Sequence, residues 1–155
     1  MATQYDNISP ALVWECTRHN NSFLVKRKQA GGVFFSRDPL NLLNKHSNKY
    51  AGYSNAKAIG INAGPNNKVE VTTKTPSKAN KPASSLHKQS FSGGKSARNI
   101  SRSVVSTTAK KGYRSDLRAE AVARVGAIKK SQRPVRERAV KTRTGRKGKG
   151  KAVEA

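Results

Sequence analysis

The chain has 155 residues and a net charge of +24, because 32 Lys and Arg stand against 8 Asp and Glu. This excess limits the partner to a nucleic acid, an anionic membrane or an acidic protein. No apolar run approaches the ~20 residues of a membrane-spanning helix, and the first residues lack the basic and apolar regions of a signal peptide. The single cysteine, Cys16, excludes an internal disulfide and a zinc site built from several cysteines.

The positive charge is concentrated in the second half. Residues up to Thr75 include ten basic and four acidic side chains, a net of +6, whereas the remainder has a net of +18. Seven of the nine aromatic residues lie in the first part. We therefore predict an α+β protein made of a small module over 1–74, an extended linker over 75–95, a basic helical extension over 96–132 and a disordered basic tail over 133–155. On this view, the second half gains shape only by binding a polyanion.

The first predicted element is a helix that begins at Ser9-Pro10. Serine is a good N-cap, and proline suits the first helical position. Leu12 and Cys16 then share one helical face, where Cys16 is expected to pack. A strand is the alternative, because Leu12, Trp14 and Cys16 also alternate, but the start signal favours the helix.

A hairpin is predicted next. Strand-forming residues over 22–26 and 33–35 flank a segment that contains Gly31-Gly32. The connection presents Lys26, Arg27 and Lys28 together, with no acidic residue nearby. We interpret this triplet as a nucleic-acid contact, although a run of solvated charges is the ordinary alternative.

Two more strands and two helices follow. The strands are predicted over 57–61 and 68–73, with a turn at 64–67 that is rich in Gly, Pro and Asn. The helices are predicted over 96–111 and 115–131, and Pro134 lies just beyond the second. The second helix has an apolar stripe made of Leu117, Ala121, Val125 and Ile128.

No catalytic, metal or cofactor site is predicted. The three histidines, His19, His46 and His87, are far apart in the chain and have no Cys or carboxylate at metal-ligand spacing. The segment Gly93-Gly94-Lys95-Ser96 lacks a phosphate-binding loop's first glycine, because Gln89 stands there. A small nuclease is therefore disfavoured, and no small-molecule substrate is expected.

The remaining signal is cationic. Tyr113 beside Arg114 can combine base stacking with phosphate contact, although a core tyrosine is the plainer interpretation. Beyond Arg133, a glycine-spaced run of cations has nothing to pack against. The predicted RNA-binding residues are Lys26, Arg27, Lys28, Tyr113, Arg114, Arg118, Arg124, Lys129, Lys130, Arg133, Arg136, Arg138, Arg143, Arg146 and Lys147.

Four segments together resemble a known family. They are Leu12-Val13-Trp14, residues 20–27 (NNSFLVKR), residues 113–118 (YRSDLR) and residues 131–135 (SQRPV). In this order and at similar spacing they resemble the eukaryote-specific large-subunit ribosomal protein twenty-eight family, e-type, over roughly Leu12 to Arg143. The chain departs from that pattern with serine at position 115, where proline is expected, and with a longer, Asn-rich N-terminus.

The resemblance implies a structural constituent of the cytosolic large ribosomal subunit, with nucleolar transit during assembly. The implied partners are large-subunit ribosomal RNA and neighbouring ribosomal proteins, with no membrane. Two alternatives stay open. One is a nuclear ribosome-assembly factor with a related N-terminal module, although that relative is typically acidic toward its C-terminus. The other is a chromatin-type DNA-binding protein, which the aromatic, strand-rich first half disfavours.

Overall fold

The computed structural model describes residues 8–81, 83–135 and 137. The helices are α1 (Pro10–Thr17), α2 (Gln29–Gly32), α3 (Ala97–Thr107) and α4 (Arg118–Ser131). The strands are β1 (Leu24–Lys26), β2 (Phe34–Ser36), β3 (Ile59–Ala63), β4 (Val69–Lys74) and β5 (Leu86–Phe91). All strand pairs are antiparallel, in a two-stranded sheet β1-β2 and a three-stranded sheet β3-β4-β5. The predicted α+β class is confirmed.

Helix α1 begins as predicted. The Ser9 hydroxyl accepts a hydrogen bond from the Leu12 N–H at 3.2 Å, and proline occupies the first helical position. The buried residue is Trp14, whereas Leu12 is 55% exposed and Cys16 is also exposed. The expected packing of Cys16 is therefore wrong, because the larger indole of Trp14 takes the contact with the rest of the protein.

The β1-β2 hairpin is also confirmed. Val25 pairs with Phe35, and the single turn of α2 fills the connection between the strands. Gly31 and Gly32 both have positive φ, 79° and 77°, a conformation that glycine adopts without strain.

The predicted strands β3 and β4 are an edge strand and the central strand of the larger sheet, with Ile61 opposite Val71. Their turn contains Asn66 and Asn67 at φ of 54° and 56°, the left-handed region that asparagine tolerates. Because side chains alternate along a strand, the aliphatic residues of both strands face one side of this sheet.

Residues 86–91 lie in the segment predicted as a linker, and they form β5 instead. This strand pairs with β4 over its whole length, with Val71 opposite Gln89. The sequence gives no clear strand signal over this segment, because only Leu86 and Phe91 are strongly apolar. An edge strand needs few apolar side chains, since backbone bonds to its one neighbour hold it.

One core joins both halves of the chain, contrary to the expectation of a module followed by a coreless arm. Helices α3 and α4 pack against each other, and α4 also contacts β3 and β4. The core residues are Leu42, Ile59, Ile61, Val69, Val71, Phe91, Ile100, Val104, Leu117, Ala121, Val125 and Ile128. More than half of them come from beyond Thr75, so the basic helices are part of the folded domain.

The sequence signals of these two helices are mostly confirmed. The Ser96 hydroxyl accepts from the Asn99 N–H at 3.4 Å at the start of α3. All four residues of the predicted apolar stripe on the second helix are buried. Ser115 does not cap α4, because residues 115–117 form a separate turn of 3₁₀ helix before it.

Candidate nucleic-acid interface

The end of β1 and the two residues before α2 display three cations, Lys26, Arg27 and Lys28, which we call the basic tip. All three side chains are exposed, and none has an ion-pair or hydrogen-bond partner in the described part of the chain. The Arg27 N–H donates to the Val33 carbonyl at 3.1 Å and closes the end of the hairpin. The structure therefore leaves these three predicted residues side by side on an exposed surface.

An aromatic cluster holds the hairpin and α1 to residues 37–55. Phe23 at the start of the hairpin stacks on Tyr53, with ring centroids 6.1 Å apart. The Trp14 ring lies 4.8 Å from His46, whose Nε2 is 2.8 Å from the Arg18 carbonyl oxygen. Burial raises the pKa of the Tyr53 hydroxyl. We call α1, the hairpin and residues 37–55 the aromatic lobe, since these rings position the basic tip.

Tyr113 was predicted to stack on RNA bases. In the structure its hydroxyl forms hydrogen bonds with the backbone of the protein. It accepts from the N–H groups of Ala58 and Lys74, each at 3.1 Å. The hydroxyl oxygen also lies 2.6 Å from the Lys74 carbonyl oxygen, to which it donates. Burial raises the pKa of this hydroxyl. Tyr113 thereby joins the start of β3 to the end of β4, from the loop that connects α3 to α4.

Arg114 has a comparable internal role. Its guanidinium donates to the carbonyls of Lys57 at 2.9 Å and Lys49 at 2.8 Å. It also donates to both carboxylate oxygens of Asp116 at 2.9 Å, and these bonds lower the Asp116 pKa. Its backbone is left-handed, with φ of 47°, an uncommon conformation for arginine that these bonds stabilise. Its donors therefore point into the protein.

Two predicted residues of α4 are used to attach the helix. The Nε of Arg124 donates to the Ile61 carbonyl at 3.2 Å, which covers part of the outer edge of β3. The ammonium of Lys129 donates to the Gly93 carbonyl at 2.7 Å. Both side chains are partly buried, and both form hydrogen bonds within the protein.

The other predicted residues of this region are exposed. Arg118, Lys130 and Arg133 have no side-chain partner within residues 8–81, 83–135 and 137. Five further predicted residues lie outside the described residues: Arg136, Arg138, Arg143, Arg146 and Lys147.

A pair of cations on α3 was not predicted from the sequence. Arg98 and Arg102 are exposed and one helical turn apart, while Ile100 and Val104 on the same helix are buried. Lys110 and Lys111, in the short turn after α3, are exposed too. The i, i+4 spacing of the arginines, out of phase with the buried residues, was the available signal.

The carboxylates of the described residues do little to neutralise these exposed cations. Glu120 accepts from Lys49 at 2.9 Å and from Tyr50 at 3.1 Å, and the Lys49 bond lowers the Glu120 pKa. Glu15 pairs with Arg18 within α1. The two carboxylate oxygens of Asp38 accept from the N–H groups of Leu40 and Tyr53. The surface cations therefore keep a large uncompensated charge.

Other kinds of site find little support. Within the described ranges, no cluster of His, Cys, Asp and Glu could hold a metal ion. None of the helices described there has both the length and the apolar character needed to cross a bilayer.

Comparison with known proteins agrees with the resemblance in the sequence. A family model described as the Ribosomal L28e protein family matches residues 12–131. The chain is 40% identical over 129 residues to a protein of Schizosaccharomyces pombe named large ribosomal subunit protein eL28, covering 83% of this chain and 96% of that one. It is 34% identical over 134 residues to the Dictyostelium discoideum protein of the same name, covering 86% and 96%.

Proposed function

Because the chain belongs to the ribosomal L28e protein family, we propose that it binds large-subunit ribosomal RNA through the cations that its own fold leaves free. As a member of this family it is a structural constituent of the eukaryotic large ribosomal subunit. We assign it no catalytic role, and we place it on cytoplasmic ribosomes after assembly in the nucleolus, beside other ribosomal proteins.

The observation that carries the proposal is the division of the cations into two groups. Arg114, Arg124 and Lys129 donate to backbone carbonyls and stabilise the domain. Among the described residues, the free group includes Lys26, Arg27, Lys28, Arg98, Arg102, Lys110, Lys111, Arg118, Lys130 and Arg133. Only cations of the second kind can neutralise phosphates without first breaking bonds within the protein.

Two surfaces supply the RNA contacts in this proposal. The basic tip lies on the aromatic lobe, and the second surface is made of the exposed faces of α3 and α4, to which the sequence after Arg133 adds further cations. Arginines there can bind phosphate with two parallel hydrogen bonds and stack on bases, which lysines cannot do as well. Tyr113 is placed outside the interface, as a structural residue.

In this proposal, the tail after Arg133 contributes the largest electrostatic part of the affinity for RNA. Ending the chain at Arg133 removes eight basic and two acidic residues and leaves every core residue in place. Each neutralised phosphate releases counterions, so affinity depends steeply on salt. With six to ten phosphate contacts, affinity falls roughly 10³- to 10⁵-fold between 50 and 200 mM salt.

The test measures binding of the purified chain to large-subunit ribosomal RNA over a series of salt concentrations. Replacing the three residues of the basic tip with glutamine should weaken binding. It should also lower the salt slope, which is the steepness with which the logarithm of the affinity falls with the logarithm of the salt concentration, by about two to three, at about 0.7–0.9 per lost contact. The charge-preserving pair Lys26→Arg and Lys28→Arg is the matched control, and it should retain the slope.

Truncation at Arg133 should lower the slope further than the glutamine variant does. An unchanged slope in both the glutamine variant and the truncated chain, at unchanged melting temperature, would refute the proposal. Equal loss in the charge-preserving control would show that the effect is not electrostatic.

A further inference from the structure

Strand β5 is an edge strand with one row of backbone groups facing away from the sheet. The Thr75 N–H donates to the Ser85 carbonyl at 2.8 Å, so the odd-numbered residues of this ladder exchange bonds with β4. The N–H and C=O groups of Leu86, Lys88 and Ser90 therefore point outward. No backbone hydrogen bond reaches them from the described ranges 8–81, 83–135 and 137.

A groove lies beside this edge, on the face of the sheet opposite α3 and α4. Its volume is about 530 Å³, and it separates the sheet from the aromatic lobe. The residues that give it apolar walls are Phe23, Pro39, Leu40, Tyr53 and Leu86. The side chain of Leu86 thus belongs to the groove, while its backbone belongs to the open edge.

The groove is locally neutral in a strongly basic protein. Two carboxylates, Asp38 and Glu70, and two ammonium groups, Lys74 and Lys88, line it. Lys74 donates to the carbonyls of Gly52 at 3.4 Å and Asn55 at 2.9 Å, and burial lowers its pKa. These features do not suit a polyanion, which needs an excess of free cations.

We propose that this edge and groove bind an extended polypeptide segment of another protein in the large subunit. The segment adds to β5 as a fourth strand and places apolar side chains, two residues apart, in the groove. Backbone hydrogen bonds to Leu86, Lys88 and Ser90 supply affinity, and the groove selects side chains. This interaction is separate from RNA binding by the free cations.

Hydrogen exchange of individual amides is the first test, because it reports the two faces of the strand separately. In the free chain, the amides of Leu86, Lys88 and Ser90 should exchange fast, and those of His87 and Gln89 slowly. In assembled large subunits, the three outward amides should slow by more than about tenfold. Outward amides that exchange equally fast in both states would overturn the proposal.

Cross-linking distinguishes a polypeptide partner of this edge from an RNA partner. A photo-reactive benzophenone side chain is placed at Lys88 in the full-length protein and activated in assembled subunits. The expected product is a cross-link to a polypeptide that maps to an extended segment, whereas the same group at Lys110 should cross-link to RNA. Cross-linking of position 88 to RNA, or to nothing, contradicts the proposal.

A backbone variant then tests the mode of binding. Ser90→Pro removes an outward N–H without touching the bonds to β4, and proline is tolerated at such edge positions. It should lower the position-88 cross-link yield by about tenfold, whereas Ser90→Ala should not change it. Equal yields in the two variants would exclude strand addition. If Ser90→Pro lowers the melting temperature, the exchange measurement on the unmodified chain decides. RNA affinity enters neither the exchange measurement nor the cross-link from position 88, so these two readouts can fail independently of the proposed function.

Discussion

The sheet with α3 and α4 and the aromatic lobe bury their side chains to different extents. In the first region Val69, Ile100 and Val125 are 0% exposed, and each such side chain contributes roughly 1.5–3 kcal/mol when buried. In the lobe, Leu42 joins the core of the first region and is 2% exposed, whereas Trp14 retains 8% exposure and Phe34 retains 48%. The lobe is held by a few ring contacts and hydrogen bonds. Stability is thus concentrated in the first region, while the lobe presents the basic tip.

Ending the chain at Thr75 should have the largest effect on stability. That truncation removes β5, α3 and α4, and it exposes Val69 and Val71 to water. We expect the fragment to lose its cooperative thermal transition, measured by circular dichroism, because the lobe cannot replace the lost burial. Loss of the whole unfolding free energy, typically about 5–15 kcal/mol for a domain, is the predicted scale.

The control for this truncation is the chain that ends at Arg133. It keeps the complete core and should melt within about 4 °C of the full-length protein, a shift of less than about 1 kcal/mol. A cooperative transition in the shorter fragment would show instead that the first half folds alone, as its aromatic content suggested.

Single substitutions in the two regions should separate global from local stability. Ile100→Ala should lower the global unfolding free energy by about 2–5 kcal/mol, because Ile100 is completely buried between sheet and helices. Trp14→Ala should mainly open the lobe, as local unfolding does. Amide exchange distinguishes them: Ile100→Ala should reduce protection in β4, and Trp14→Ala only in α1 and the hairpin. Equal loss of β4 protection in both variants would show that the two regions unfold together.

Local signals in the sequence were sufficient for most elements. The Ser9-Pro10 start, the glycines of the hairpin and the apolar stripe of α4 each depend on neighbours within a few residues, and all are present. Strand β5 was missed because its pairing with β4, and not its own side chains, holds it. The polar residues that mark a linker also suit an exposed edge.

The candidate site was less predictable, because the roles of its cations depend on distant partners. Tyr113 bonds to Ala58 and Lys74, which lie 55 and 39 positions away and come together only by strand pairing. No local pattern separates this arrangement from an aromatic that faces RNA. Arg98 and Arg102 were readable from helical spacing, since they lie out of phase with buried Ile100.

Tyr113→Phe is a smaller test, and it separates a structural hydroxyl from a stacking ring. The variant keeps the ring but leaves the Ala58 N–H without its acceptor, while the Lys74 N–H keeps only its bond to the Ala58 carbonyl at 3.1 Å. We expect a loss of about 1–3 kcal/mol in urea unfolding with unchanged RNA affinity under folding conditions. If RNA affinity falls with no change in stability, the tyrosine contacts RNA after all.

The smallest expected effect is on the pH dependence of stability. Hydrogen bonding to Lys49 lowers the Glu120 pKa in the folded protein below its usual 4.5. The stability from this pair is therefore fully present above that value and is lost as pH falls through the lower, folded pKa. Urea unfolding measured between about pH 6 and pH 3 should show Glu120→Gln with a flatter decline than the unmodified protein.

Glu15→Gln is the matched control for this pH series, since Glu15 pairs with Arg18 on the exposed surface of α1. Exposed ion pairs contribute little, because water and salt screen them. Its decline should therefore match that of the unmodified protein. If the two variants flatten the decline equally, the Lys49–Glu120 pair is no more significant than a surface ion pair. The link that it makes between α4 and residues 48–50 would then be packing alone.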